Sequence, residues 1–288
     1  MLRFEFEFKD QKMDKIINDR IPHIGEQIFE TIDTSSLIHC KSVAKTWKVF
    51  AENILFIRFK RNVCDVFEFE EGIQTEVFKI LLDWSRENEI DFNRKNTNGL
   101  TAFIWACSCG YTNVVQQLLD YFDRKNIDLN ARDNREETGF YAACSNGHIE
   151  VIKLLLNHSV NKNIDLDARS IGGFTAFMRA CLVGQTDIVK LLLDYSDNVH
   201  IDLNVTHDSG RTAFMSACYY GHKGVVKLLL DHSGSQKIDL NARHYFGLTG
   251  YMMACRKGHK EIVLLITDHS NRKGNIIDLN ATDQDEQD

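Results

Sequence analysis

Apolar and polar positions along most of the chain recur with a 37-residue step. The tetrapeptide Ile-Asp-x-Asn begins at Ile90, Ile127, Ile201 and Ile238; Ile164-Asp-Leu-Asp167 fills the gap, and a copy at Ile277 arrives two residues late. Between these anchors, Thr101, Thr138, Thr175, Thr212 and Thr249 each precede a small residue and then an aromatic one. An Ala-Cys pair follows at 106–107, 143–144, 180–181, 217–218 and 254–255, and a glycine at 110, 147, 184, 221 and 258. A second apolar run closes each unit, as in Val151-Ile-Lys-Leu-Leu-Leu156 and Val225-Val-Lys-Leu-Leu-Leu230.

This pattern predicts two short helices per unit. In the first, Thr212 is the N-cap, Phe214, Ala217 and Cys218 share a face, and Gly221 ends the helix in the left-handed conformation that glycine adopts at low cost. In the second, Val225, Val226, Leu229 and Leu230 share a face. Neither helix can bury its stripe alone, so neighbouring units must stack into a solenoid.

The units resemble ankyrin repeats. The family pattern Asp-x-x-Gly-x-Thr-Pro-Leu-His-x-Ala-Ala-x-x-Gly-His is echoed by Asp208-Ser-Gly-Arg-Thr-Ala-Phe-Met-Ser-Ala-Cys-Tyr-Tyr-Gly-His222, with His207 standing where the family Asp would be. The resemblance implies an all-α solenoid of helix pairs with β-hairpin fingers, with five repeats over 94–281. A degenerate capping copy within 61–93 is suggested by Thr75-Glu-Val-Phe-Lys-Ile-Leu-Leu-Asp83. Thr-Pro becomes Thr-Ala or Thr-Gly in every copy, which largely accounts for the single proline. Each unit also exceeds the usual period of about 33, and the surplus is expected to lengthen the loop after the second helix. Glu136 occupies a turn-glycine position, so that finger is expected to be locally rebuilt.

Residues 21–60 fall outside the repeat phase. Pro22 precedes an apolar-periodic stretch (Ile24, Ile28, Phe29, Ile32), Asp33 to Ser36 break it, and Leu37, Cys40, Val43 and Trp47 mark a second stripe. Phe50 to Phe59 form a third. Three short helices of this size need a partner surface. With Ile21-Pro22, Ile28-Phe29, Leu37 and Val43-Ala-Lys-x-Trp47, the segment resembles an F-box, following an N-terminal extension over 1–20. The resemblance implies docking on a Skp adaptor through Ile21, Pro22, Ile28, Leu37, Val43 and Trp47. The chain would then be the substrate receptor of a Skp–cullin–F-box ubiquitin ligase. The alternative is an ankyrin interaction scaffold or decoy whose F-box-like helices cap the solenoid.

Composition narrows the partners. A net charge of −7 argues against phosphate-neutralising nucleic-acid binding. No run approaches the roughly 20 apolar residues of a membrane helix, and no signal-peptide core is present, so a cytoplasmic or nuclear protein (or one in a host cytoplasm) is expected. No phosphate loop, zinc motif or nucleophile elbow occurs, so no enzyme, metal or cofactor is expected. The repeat cysteines are expected in the core, and His148, His222 and His259 in structural hydrogen bonds. Asp283 to Asp288, within a tail over 282–288, reads as a solvated end.

In ankyrin proteins the finger tips and the two residues before the Gly-His glycine line the recognition face. Repeats one and two carry polar residues there, among them Thr97, Asn98, Asn134, Arg135, Glu137, Ser145 and Asn146. Repeats three to five carry Ile171, Phe174, Leu182, Val183, Arg211, Tyr219, Tyr220, Tyr245, Phe246 and Arg256, a composition typical of interface hot spots. These positions are expected to be exposed and to hold a protein target; the alternative is that several of them pack against the next finger.

Overall fold

The structure, a computed structural model, describes residues 91–278 apart from 233, 235, 275 and 276. The F-box-like positions Ile21, Pro22, Ile28, Leu37, Val43 and Trp47, the copy at 75–83 and the tail over 282–288 lie outside the described residues.

Five helix pairs follow one another: α1 Ala102–Cys109 and α2 Thr112–Lys125, α3 Gly139–Asn146 and α4 Ile149–Lys162, α5 Ala176–Val183 and α6 Thr186–Tyr195, α7 Ala213–Tyr220 and α8 Lys223–Asp231, α9 Gly250–Lys257 and α10 Lys260–Lys273. Each first helix packs on the next first helix, and second helices pack on one another in the pairs α2–α4, α6–α8 and α8–α10. The five threonines are buried N-caps whose hydroxyls accept the N–H three residues on, for example Thr212 from Met215 at 3.3 Å. Two residues after each of the first four threonines sits the largest fully buried side chain of the repeat, Phe103, Phe140, Phe177 or Phe214. Burial of one phenylalanine stabilises by roughly 1.5–3 kcal/mol, so these rings supply much of the energy of stacking.

The Ile-Asp-x-Asn motif sets the spacing. Ile127, Ile164 and Ile201 and the following Leu129, Leu166 and Leu203 are buried. The Asp folds the turn, as where Asp128 Oδ1 accepts from the N–H of Asn130 at 3.0 Å. The Asn then ties its repeat to the next. Asn130 Nδ2 donates to the Asn163 carbonyl at 2.8 Å, and its Oδ1 accepts from the N–H of Asp165 at 2.8 Å. Asn93, one unit before, and Asn204, two units after, repeat both bonds. Asp167, the exception, keeps the acceptor half, receiving the N–H of Asp202 at 3.0 Å. A carboxylate brings no donor there, and burial raises its pKa against the opposing effects of that bond and of His200.

Three expectations change. The fingers are tight turns, and no strand occurs among the described residues. Each finger closes with two bonds, as where Gly210 N–H donates to the His207 carbonyl at 2.8 Å and His207 N–H to the Arg211 carbonyl at 3.0 Å. That is one turn's worth of pairing, too short for a ladder. The surplus residues extend the second helix in repeats one, two and five, where α2, α4 and α10 run 14 residues. Asn126, Asn163 and Gly274 end those helices in the left-handed conformation, whereas α6 and α8 stop at 10 and 9 residues and leave longer loops. The finger carrying Glu136 is not rebuilt. Glu136 takes φ +60°, with Glu136 N–H donating to Asp133 at 3.1 Å and Asp133 N–H to Glu137 at 3.0 Å.

A left-handed non-glycine residue costs roughly 1–2 kcal/mol, and the Glu136–Arg132 pair at 3.5 Å is exposed and returns little. Glu136→Gly is therefore expected to stabilise the chain by about 1 kcal/mol, read as a higher urea midpoint at unchanged slope.

Candidate interaction surface

The finger tips and the C-terminal ends of the first helices form one face, held in register by bonds between repeats. Tip backbones join where Asn134, Ile171 and Asp208 N–H groups donate to Asn98, Arg135 and Gly172 carbonyls at 3.2, 2.9 and 3.1 Å. Below the tips, Lys95, Arg132 and Arg169 reach the Arg132, Arg169 and Thr206 carbonyls at 2.7, 2.7 and 2.9 Å. At the helix ends, His148, His222 and His259 donate through Nε2 to the Ser108, Leu182 and Tyr219 carbonyls at 2.8, 2.8 and 3.0 Å. Gln185 makes the same contact to Ser145 at 3.1 Å. Each His ring lies over the capping glycine of the repeat before it, so a side chain at Gly110, Gly184 or Gly221 would meet both the ring and a positive φ. These histidines are structural staples.

A second set of histidines works inside the fingers. In fingers one and two, Asn96 Oδ1 accepts from Asn98 and Leu100 N–H at 3.0 and 2.9 Å, and Asp133 Oδ1 from Arg135 and Glu137 N–H at 2.8 and 2.9 Å. At the same position His207 Nδ1 accepts from Ser209 N–H and His244 Nδ1 from Leu248 N–H, both at 3.0 Å. An imidazole nitrogen that accepts an N–H carries no proton. Burial first, and the Arg211 charge second, hold both rings below the ordinary histidine pKa.

Three of the polar positions of the first two repeats are committed to the scaffold. Asn134 Nδ2 donates to the Thr97 carbonyl at 3.0 Å, Asn146 Nδ2 to the Ser108 carbonyl at 2.8 Å, and Arg179 Nε to Ser145 Oγ at 3.5 Å. Repeats three to five differ. Ile171, Tyr220, Tyr245 and Phe246 are 66%, 49%, 68% and 66% exposed, Val183 is 44% exposed, and Arg256 is exposed as well. Phe174 is half-buried and stacks on His207 with centroids 4.5 Å apart, so it belongs partly to the next finger. Leu182 is half-buried beneath His222.

Tyr219 rests on the cluster of Met215, Leu248 and Met253 and meets Tyr220 edge-on at 5.0 Å. Arg211 and Lys257 lie 4.4 and 4.3 Å from its ring centroid. Hydrogen bonding and charge from Lys257, then Arg211, hold the Tyr219 phenol below its usual pKa. Sequence reasoning missed Lys257, although its place directly before the capping Gly258 marked it.

Cys107, Cys144, Cys181 and Cys218 are buried core residues with thiol pKa values pushed up by burial, whereas Cys255 is exposed. The equivalent cysteines face the following repeat, and among the described residues no further helix pair covers α9. No helix of the described residues is long and apolar enough to cross a membrane.

Because His207 and His244 have folded pKa values below the unfolded 6.5, the native state binds fewer protons than the unfolded chain. Their stabilising contribution is complete above about pH 6.5 and is lost as pH falls from there through the native values. His207→Asn/His244→Asn keeps an acceptor that does not titrate. Urea midpoints at about pH 7.5 and 5.5 should converge in this variant relative to wild type, with His269, also lowered by burial, leaving a residual slope.

In comparison with known proteins, a family model described as "Ankyrin repeats (3 copies)" matches residues 69–163, 122–202 and 198–283, well over half of the chain. The matched span takes in residues 75–83 and begins after the F-box-like segment, for which no family match is found. No curated protein matches the chain.

Proposed function

The chain belongs to the ankyrin-repeat family, a class of protein-binding arrays, and from that premise we propose that it is a non-enzymatic target receptor. Repeats three to five hold a protein target. The observation that carries this reading is where apolar surface is exposed. Of the seven large hydrophobic side chains exposed in the described residues, five (Ile171, Val183, Tyr220, Tyr245 and Phe246) sit at finger tips or helix ends of repeats three to five. Scattered exposure needs no explanation, but concentration on one face of stapled repeats is what a docking surface provides. Truncating a buried aromatic anchor at an interface costs about 2 kcal/mol or more. Tyr220→Ala/Phe246→Ala, both at exposed positions, should remove target capture and leave the thermal midpoint within about a degree or two of wild type. Unchanged capture would overturn the placement.

The N-terminal segment gives this receptor its output. The reading is a substrate-recognition adaptor that docks a Skp adaptor, and through it a cullin, by Ile21, Pro22, Ile28, Leu37, Val43 and Trp47. Its support is the spacing of those residues in the sequence, which matches an F-box over about 40 residues. The adaptor acts by proximity, raising the effective concentration of the target beside the ubiquitin-charged enzyme. Such a protein works in the cytoplasm or nucleus. The rival reading is an interaction scaffold without ligase output, whose N-terminal helices cap the solenoid. Co-purification with Skp adaptor and cullin decides between them. Wild type should bring both down and Pro22→Ala/Leu37→Ala should lose them; a wild-type chain that is folded but captures neither is the scaffold.

A further inference from the structure

Three side chains that the repeat scaffold does not require meet between repeats four and five. Arg211 stands where the other fingers have Leu100, Glu137, Phe174 and Leu248. Tyr219 stands where the other first helices have Ser108, Ser145, Leu182 and Arg256, and Lys257 where they have Cys109, Asn146, Val183 and Tyr220. These positions differ from repeat to repeat, so stacking does not dictate which residue stands there.

Their geometry is that of a cationic clamp on one ring. Tyr219 is held from below by the Met215, Leu248 and Met253 cluster. Arg211 lies 4.4 Å and Lys257 4.3 Å from its centroid. The attraction of each cation to the ring face offsets part of the mutual repulsion of two positive charges. Among the described residues neither Arg211 nor Lys257 pairs with a carboxylate, and Arg211 Nε is buried without a partner. Arg256 adds a third positive charge close enough to disfavour protonation of His244. The equivalent finger position in repeat two is an acid, Glu137, flanked by Arg135 and Arg179. Positive charge therefore gathers at one junction of a chain whose net charge is −7.

We propose that this junction docks a carboxylate-rich segment of the protein target, with Asp or Glu side chains pairing with Arg211 and Lys257. Apolar residues of the same segment rest on the neighbouring Tyr220, Tyr245 and Phe246. The inference builds on the reading of repeats three to five as the target face and adds its chemistry. Two cations on a tyrosine suit a short run of carboxylates, whereas a nucleic-acid duplex needs an extended basic stripe that a chain this acidic does not offer.

The test is selection from a random peptide display library on the full-length chain, followed by fluorescence anisotropy with synthetic peptides. Asp- and Glu-rich peptides should be enriched. Replacing their acids by Asn and Gln, or adding salt, should weaken binding. Arg211→Gln/Lys257→Gln should weaken it by about tenfold or more. Lys257→Gln alone, at an exposed position where the fold is not at stake, should account for a several-fold part. Enriched peptides without acids, lost on Tyr220→Ala/Phe246→Ala but indifferent to Arg211 and Lys257, would overturn the carboxylate inference and leave the docking face standing. Failure to enrich any peptide would overturn both. Binding confined to phosphopeptides, or tighter binding of a DNA duplex, would also overturn it.

Discussion

A helix pair with one apolar stripe per helix has nowhere to put that stripe except against an identical pair, and everything else in this structure follows from satisfying that demand repeatedly. Stacking supplies the energy through Phe103, Phe140, Phe177 and Phe214, which are almost wholly withdrawn from water. Apolar contact is non-directional, however, and would tolerate slippage. Register comes from polar bonds at fixed separations: 33 residues for the Asn amide to a carbonyl, 35 for the returning N–H, 37 for the basic side chains and 40 for the histidine staples. Each is exposed or half-buried and worth about 1 kcal/mol. Together they allow one alignment only.

That division of labour explains the sequence pattern. A position that faces the next repeat or reaches a carbonyl in it must recur every 37 residues, because the same surface is presented each time. Asp167 shows the tolerance of the rule: the carboxylate keeps the acceptor half of the Asn bond and gives up the donor half. His207 and His244 show it again, since a neutral imidazole nitrogen accepts a turn N–H as Asn96 and Asp133 oxygens do. The substitution makes the fourth and fifth fingers sensitive to protonation where the first two have a side chain that stays an acceptor at neutral pH.

Much of this was legible before any coordinates. The period, the threonine caps, the capping glycines and the two apolar faces each rest on local chemistry that repeats, and repetition removes the ambiguity of a single instance. What was not legible depended on competition between local choices. Whether the surplus residues lengthen a loop or a helix turned on whether Asn126 and Asn163 take the left-handed conformation, which composition alone does not decide. Glu136 was expected to rebuild its finger, but the bonds of the turn and of its neighbours outweigh the strain of one residue. On the surface, the exposed aromatics were foreseen from their position in the repeat. Phe174 proved to serve the next finger because His207 offers it a ring to stack on. Lys257 was overlooked because its significance lies in a neighbour 38 positions away, Tyr219, rather than in its own surroundings.

Periodicity therefore separates structure from function more sharply than residue chemistry does. Histidine, cysteine and buried carboxylate are the residue types that usually raise a catalytic question, yet here they recur in phase and stacking accounts for them. His148, His222 and His259 bridge to carbonyls, and Cys107, Cys144, Cys181 and Cys218 fill the space between helices with thiols held protonated by burial. The residues that stacking does not explain are those out of phase and on one face: Ile171, Val183, Arg211, Tyr219, Tyr220, Tyr245, Phe246 and Lys257. They are apolar, aromatic and cationic where most of the matching positions of repeats one and two are polar, with Asn134 and Asn146 bonded into the scaffold. Stacking accounts for the scaffold of these ankyrin repeats but not for the residues this face turns to solvent.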